Sequence, residues 1–321
     1  MESSRAARRR PLVYTALALV AVVGATATGT VYVKAQAHSG GSVPVSSAAT
    51  APTEEAGKTG EIGETGEASV EPVAEPTVDL DALLADAMDA VPVPDGAEVS
   101  VAVLDLDSGT SAGYGDGAFD TASIVKVDIL AALLLRAQDA GTHLTAREKA
   151  YATAMIENSD NASASALWRD IGRAAGLDAA NERFGLTGTA GGDGELWGLT
   201  QTTAADQLAL LRQVFGDGTE LSEASRSYLQ DLMGRIAAGQ DWGVSAAADG
   251  SGWALKNGWL PRSTTGLWDI NSIGRVTVDG KDCLVAVVSK GNATQPEGIS
   301  LVEAAARAAV SVFTGDGAPA R

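Results

Sequence analysis

The sequence predicts an α+β domain in which an antiparallel sheet is assembled from both ends of the folded region. Three observations predict it. Alternating apolar residues mark two short strands near residues 99–114. A long block with helical periodicity then runs from Ser123 to about Ala238. Strand patterns return at Trp253–Leu260, Leu267–Val278 and Cys283–Val288, and a last helix covers about Ile299 to Phe313. Strands split by such a block must pair across it, and the block forms a second, all-helical lobe at about 127–243. A cleft between lobes is where a ligand site belongs.

Taken in order, the chain of 321 residues opens with Arg5, Arg8, Arg9 and Arg10, followed by an uncharged stretch from Pro11 to Val33. That length suits a membrane-spanning helix, and the basic flank orients the N-terminus to the cytoplasm. Residues 1–35 therefore read as an uncleaved signal anchor. The competing reading is a signal peptide cut at Ala35-Gln36-Ala37, which would secrete the protein. Both put the remainder outside the cytoplasm. Residues 36–78 are rich in Gly, Ser, Pro and Glu, lack aromatic residues, and read as a disordered tether.

The folded domain, 79–321, begins with Leu80, Leu83, Leu84 and Met88 at helical spacing behind the acidic Asp79. Val99, Val101 and Val103 alternate into Leu104-Asp105-Leu106-Asp107, and Ser108-Gly109 turns the chain into a second strand at about Ser111–Tyr114. From Ser123 to about Ala140 comes a helix whose apolar residues cover all faces, which belongs in an interior. Helical runs at Ala146–Ile156 and Ala162–Trp168 flank a turn.

Composition removes several function classes. A net charge of −18 argues against nucleic acid as a partner. Only two histidines are present: His38, in the tether, and His143, in a loop. A Ser-His-Asp triad and a His-rich zinc site are both excluded. The single cysteine, Cys283, sits in an apolar run and reads as a buried strand thiol.

The chemistry lies in three short motifs. Ser123-Ile124-Val125-Lys126 opens the apolar helix, with a lysine one turn after a serine. A buried ammonium is costly, so its pKa falls, and a partly neutral amine beside a hydroxyl can serve as its base. Ser159-Asp160-Asn161 occupies the helix–helix turn, and Lys256-Asn257-Gly258 lies within a strand pattern. Each alone has an ordinary structural explanation: an exposed pair, a cap, an edge bulge. The literal string Lys58-Thr59-Gly60 lies in the tether, ahead of the serine, and is not the counterpart of the third motif.

In this order the three motifs, with the stretches "VAVLDLDSG", "FDTASIVK" and "LTQTTAADQLALL", resemble those of class A β-lactamases and related penicillin-recognising serine enzymes. The resemblance covers about Asp79 to the C-terminus. It implies a β-lactamase/transpeptidase-like fold, an antiparallel sheet flanked by helices with an inserted helical lobe. It implies Ser123 as nucleophile, Lys126 as its base, and Ser159 as proton relay to the leaving nitrogen. Lys256 would supply positive charge, and the N–H groups of Ser123 and Trp259 an oxyanion hole. Asn161, Asn257 and Gly258 would bind substrate, while Asp160 braces the turn. The partners implied are a small β-lactam or a cell-wall peptide, with the membrane reached through the N-terminal segment. The expectation is a monomer needing no cofactor or metal.

The chain departs from the family pattern at three places. Asn257 replaces a hydroxyl residue. The stretch between Lys126 and Ser159 is short. No Glu-x-x-Leu-Asn string, whose glutamate activates the deacylating water in class A enzymes, occurs between Trp168 and Thr202. Gly191-Gly192-Asp193-Gly194-Glu195-Leu196-Trp197-Gly198 corresponds to that loop, so Asp193 and Glu195 are the candidates for deacylation. Three readings stay open: a class A-like β-lactamase, a D,D-peptidase acting on cell-wall peptides, and a non-enzymatic binding module or sensor that acylates slowly or not at all. Asp128, on the buried helix, has no assigned partner.

Overall fold

A computed structural model describes residues 78–314. The expected anchor and tether lie outside the described residues. Within them, no helix is long and apolar enough to cross a membrane.

The first helix, α1 (Leu80–Asp89), is capped by Asp79, whose carboxylate accepts from the Ala82 N–H. Strands β1 (Glu98–Asp105) and β2 (Ser111–Tyr114) form the expected hairpin. Strand β3 (Phe119–Asp120) leads through a 3₁₀ turn, Ala122–Ile124, into α2 (Val125–Asp139). The helical lobe continues with α3 (Ala146–Glu157), α4 (Asn161–Asp170) and α5 (Arg173–Phe184). After strand β4 (Gln201–Thr202), α6 (Ala204–Phe215) and α7 (Glu223–Met233) complete it. Strands β5 (Trp253–Pro261), β6 (Trp268–Val278) and β7 (Lys281–Asn292) precede the terminal α8 (Gln295–Thr314).

The main sheet runs β2-β1-β7-β6-β5 with every neighbouring pair antiparallel. The early hairpin thus joins the late strands across the helical block, as the α+β reading requires. A two-stranded piece, β3 with β4, was not anticipated. Each of its strands is two residues long, too short to show a period. The last helix starts at Gln295, four residues before the expected Ile299.

Two apolar clusters lie against the sheet. One joins α1 and α8, Phe313 included, to strand residues such as Val101 and Val285. The other is built around α2, which buries every residue from Val125 to Leu135, Lys126 and Asp128 included. Each fully buried Leu, Ile or Val contributes about 1.5–3 kcal/mol, so α2 is held by packing on all sides. Helix termini in the lobe are set locally. Thr145 and Glu148 form a reciprocal capping box on α3, and Asp160, Thr203 and Ser222 cap α4, α6 and α7. These caps position the site, because Ser159 and Asn161 flank the cap of α4 and Ser123 precedes the first turn of α2.

Candidate active site

The edge strand β5 runs alongside the 3₁₀ turn that carries Ser123. A Cβ built on Gly258 would lie 2.7 Å from the Thr121 carbonyl oxygen, 2.8 Å from the Ser123 nitrogen and 3.0 Å from the Ile124 nitrogen. Only glycine permits so close an approach. From the far side, Asn271 on β6, opposite Gly258 in register, donates its amide to the carbonyls of Asp120 (2.9 Å) and Thr121 (3.0 Å). Its own oxygen accepts from the Ser289 N–H at 3.0 Å. Ala122, just before the serine, has a φ of 48°, and Ser159 has a φ of 55°. Such left-handed backbone costs non-glycine residues energy and persists only where the surroundings hold it.

Lys126 is fully buried and donates to Ser123 Oγ at 2.9 Å. It also reaches the Ser159 carbonyl at 2.7 Å, Ser159 Oγ at 3.0 Å and Asn161 Oδ1 at 2.8 Å. Burial lowers its pKa to about 7, with the nearby Asp160 carboxylate opposing that shift. Lys256, equally buried, donates to Ser159 Oγ at 3.1 Å and to the Asn257 carbonyl at 2.9 Å. Desolvation, with the charge of Lys126 added, pushes its pKa well below the ordinary lysine value. The Ser159 hydroxyl therefore accepts from two lysines and retains its own proton to give. Asp160 spends its carboxylate on the Ser163 N–H at 2.7 Å, and those Ser163 hydrogen bonds hold its pKa low.

Ser123 and Asn161 open into a cleft of about 610 Å³ between the Glu195–Leu199 segment and the Trp259–Thr264 segment. Its lips are apolar: Leu196 is 55% exposed, and Trp197, Trp259 and Leu260 are half-buried. The Trp197 ring centroid lies 4.9 Å from Lys126 Nζ, a cation–π contact, and its Nε1–H donates to Ser165 Oγ at 3.1 Å. Trp259 packs against Trp242 with ring centroids 6.1 Å apart.

The sequence profile described as "Beta-lactamase enzyme family" matches residues 135–313, more than half of the chain. The chain belongs to that family. No curated protein matches it. Among solved structures, it is similar to PBP-A at 23% identity and a TM-score of 0.63, over 75% of this chain and 98% of that one. A mutant of PBP-A described as an acyl-enzyme complex with penicillin G matches at 22% identity and TM-score 0.62, over 73% and 96%. A β-lactamase from Xanthomonas campestris pv. campestris matches at 23% identity and TM-score 0.58, over 74% and 97%. At these identities the likeness is one of fold, and it is the β-lactamase/transpeptidase-like fold expected from the motifs.

Within that family fold the three motifs converge: Ser123, Lys126, Ser159 and Lys256 form one hydrogen-bonded chain, with Asn161 attached to it. The expectation for Asn257 is corrected. Its amide nitrogen donates to the carbonyls of Gln240 (2.7 Å) and Trp242 (2.9 Å), and the residue is 1% exposed. It ties down the 240–242 loop instead of facing a ligand. Glu195 lines the cleft, but its carboxylate is held by Arg169 at 3.0 Å and Arg173 at 2.9 Å, which lower its pKa. Asp193 is exposed and is not among the residues lining the cleft. Sequence reading missed Asn271 and the Trp197 contact. The polar pair Asn271-Ser272 between Ile270 and Ile273 of β6 was the available signal for the first; none existed for the second. Cys283 is buried, and burial pushes its thiol up to about 12, consistent with a packing role.

Proposed function

We propose that this protein is a serine enzyme that opens β-lactam-type amides by acylating Ser123 and releases the acyl group slowly. The observation that carries this reading is the continuous hydrogen-bonded path Ser123–Lys126–Ser159–Lys256. The neutral amine of Lys126 takes the Ser123 proton as Oγ attacks the carbonyl carbon. The N–H groups of Ser123 and Trp259 receive the developing oxyanion. As the C–N bond breaks, Ser159 passes its proton to the departing nitrogen and regains one from Lys126. The products are an ester on Ser123 and a free amine on the ring-opened ligand. Asn161, whose oxygen is engaged by Lys126, offers its NH₂ group to the ligand's amide side chain.

A second reading, a D,D-peptidase acting on cell-wall peptides, is favoured by the state of the Glu195 loop. Its carboxylate is bound to two arginines, which withdraws it as a base for hydrolysis of the ester. Either activity would be exercised outside the cytoplasm, given the basic flank and apolar stretch at the N-terminus.

The test is intact-mass spectrometry of the protein with penicillin G, run alongside measurement of ring opening. An adduct equal in mass to the whole penicillin, absent in Ser123→Ala, is the expected result. No adduct in the parent, together with no ring opening above that of Ser123→Ala, would sink the reading. Ring opening that turns over rapidly with no lasting adduct would make it an efficient β-lactamase instead.

A further inference from the structure

We propose that Trp197 is the residue that makes the Ser123 ester long-lived, by sealing Lys126 from water. This rests on the acylation chemistry proposed above.

Hydrolysis of the ester requires a water whose oxygen bonds to the acyl carbon as the bond to Ser123 Oγ breaks. One water proton must go to a base, and one must return to Oγ. Lys126 is the group placed to do this, because it lies within hydrogen-bonding distance of Oγ. Yet its side chain is fully buried, with protein atoms close on several sides. Four acceptor atoms surround its nitrogen, at 2.7 to 3.0 Å, on Ser123, Ser159 and Asn161. The Trp197 ring covers a further side at 4.9 Å.

The ring is held in that position from several directions. Its Nε1–H is bonded to Ser165 on α4. Trp168, also on α4, donates to the Gly194 carbonyl at 2.8 Å, fixing the chain ahead of it. Glu195 is clamped by Arg169 and Arg173. At Gly192 a Cβ would come within 2.1 Å of the Leu196 carbonyl oxygen, so the loop is folded tightly on itself. A half-buried indole that is bonded through its own nitrogen and preceded by an anchored segment is a fixed wall of the cleft. The clamp that fixes it also removes Glu195, the carboxylate of the cleft lining, as an alternative base.

The experiment compares adduct lifetimes in the parent, Trp197→Ala, Trp197→Leu, Trp197→Phe and Ser165→Ala. Each protein is loaded with penicillin G, freed of excess ligand, and followed by intact mass, so that lifetime is read independently of acylation rate. Trp197→Ala and Trp197→Leu are expected to shorten the lifetime at least tenfold. Ser165→Ala should shorten it less, and Trp197→Phe, which keeps a ring face, should restore most of the parental lifetime. The faster decay should rise with pH around the titration of Lys126 and slow in heavy water, as a purely structural loosening would not. Melting temperatures identify any variant that is unfolded, and Ser165→Ala and Trp197→Phe carry the comparison if the smaller side chains are not tolerated. Unchanged lifetimes in all folded variants overturn the proposal. So does a parental adduct that decays as fast as that of Trp197→Ala, although acylation would then still stand. A parent that forms no adduct removes the acylation reading and this proposal with it.

Discussion

At Lys126, burial and hydrogen bonding act in opposite directions on the same amine. Desolvation favours the neutral form and brings its pKa down to about 7, while its acceptors and the indole face favour the ammonium. The amine accepts the Ser123 proton only when neutral, so the sign of the pH dependence follows. Below about pH 7 it keeps its proton and acylation slows, approaching tenfold per unit. Above that value the rate levels. Stopped-flow measurement of adduct formation between pH 5 and 9 checks this, and a flat profile would contradict a lysine base. Lys126→Arg keeps a cation that does not deprotonate, and should lower the acylation rate by about 10²–10⁴-fold, the range of general-base catalysis. Asn257 makes the complementary point. Its motif position pointed to the ligand, and its hydrogen bonds point to a loop.

Among elements, the decisive contact is between β5 and the turn before α2. Gly258→Ala would drive a methyl against three backbone atoms at 2.7 to 3.0 Å, displacing the Ser123 N–H. Losing one oxyanion donor typically costs about 10²–10³-fold, and a fall of that size in acylation rate is expected, with melting temperature recorded in parallel. Asn271→Leu removes the donors to Asp120 and Thr121 and the acceptor of Ser289, leaving buried groups unpaired. A loss of about 2–3 kcal/mol in denaturant unfolding is expected. How legible these elements were follows from the range of the forces. The all-round apolar face of α2 and the β1 alternation are local, and sequence period exposes them. The Asn271 bond to Thr121 joins residues 150 positions apart, and the Trp197–Lys126 contact joins two lobe segments. No local pattern encodes such pairings. The motifs named the catalytic candidates; the tertiary fold alone decided which side chains face the cleft.

For the whole molecule, the helical lobe carries a buried liability in Asp128. It is 1% exposed, and neither carboxylate oxygen makes a well-formed hydrogen bond among the described residues, Asn181 offering only a weak one. Desolvation raises its pKa from 3.8 to about 7, opposed by Asn181 and reinforced by Asp178 and Asp206. The folded state thus binds a proton that the unfolded state has released between those values. Stability attributable to this group is fully present below about pH 4 and is lost as pH rises toward 7, by roughly 4 kcal/mol at most. Asp128→Asn, which does not titrate, should therefore gain stability relative to the parent from pH 4 to 7, then hold a constant advantage. Melting temperatures across that range test it, and a pH-independent difference would count against a buried acid.

The lone cysteine gives this fold a built-in chemical clock. Cys283 is inaccessible in the central part of the sheet, and its thiol holds its proton at neutral pH. A thiol-specific dye can therefore label it only when the sheet opens, so the labelling rate counts opening events. Penicillin that stabilises the folded domain should slow the dye, giving a measure of ligand engagement that needs no turnover at all.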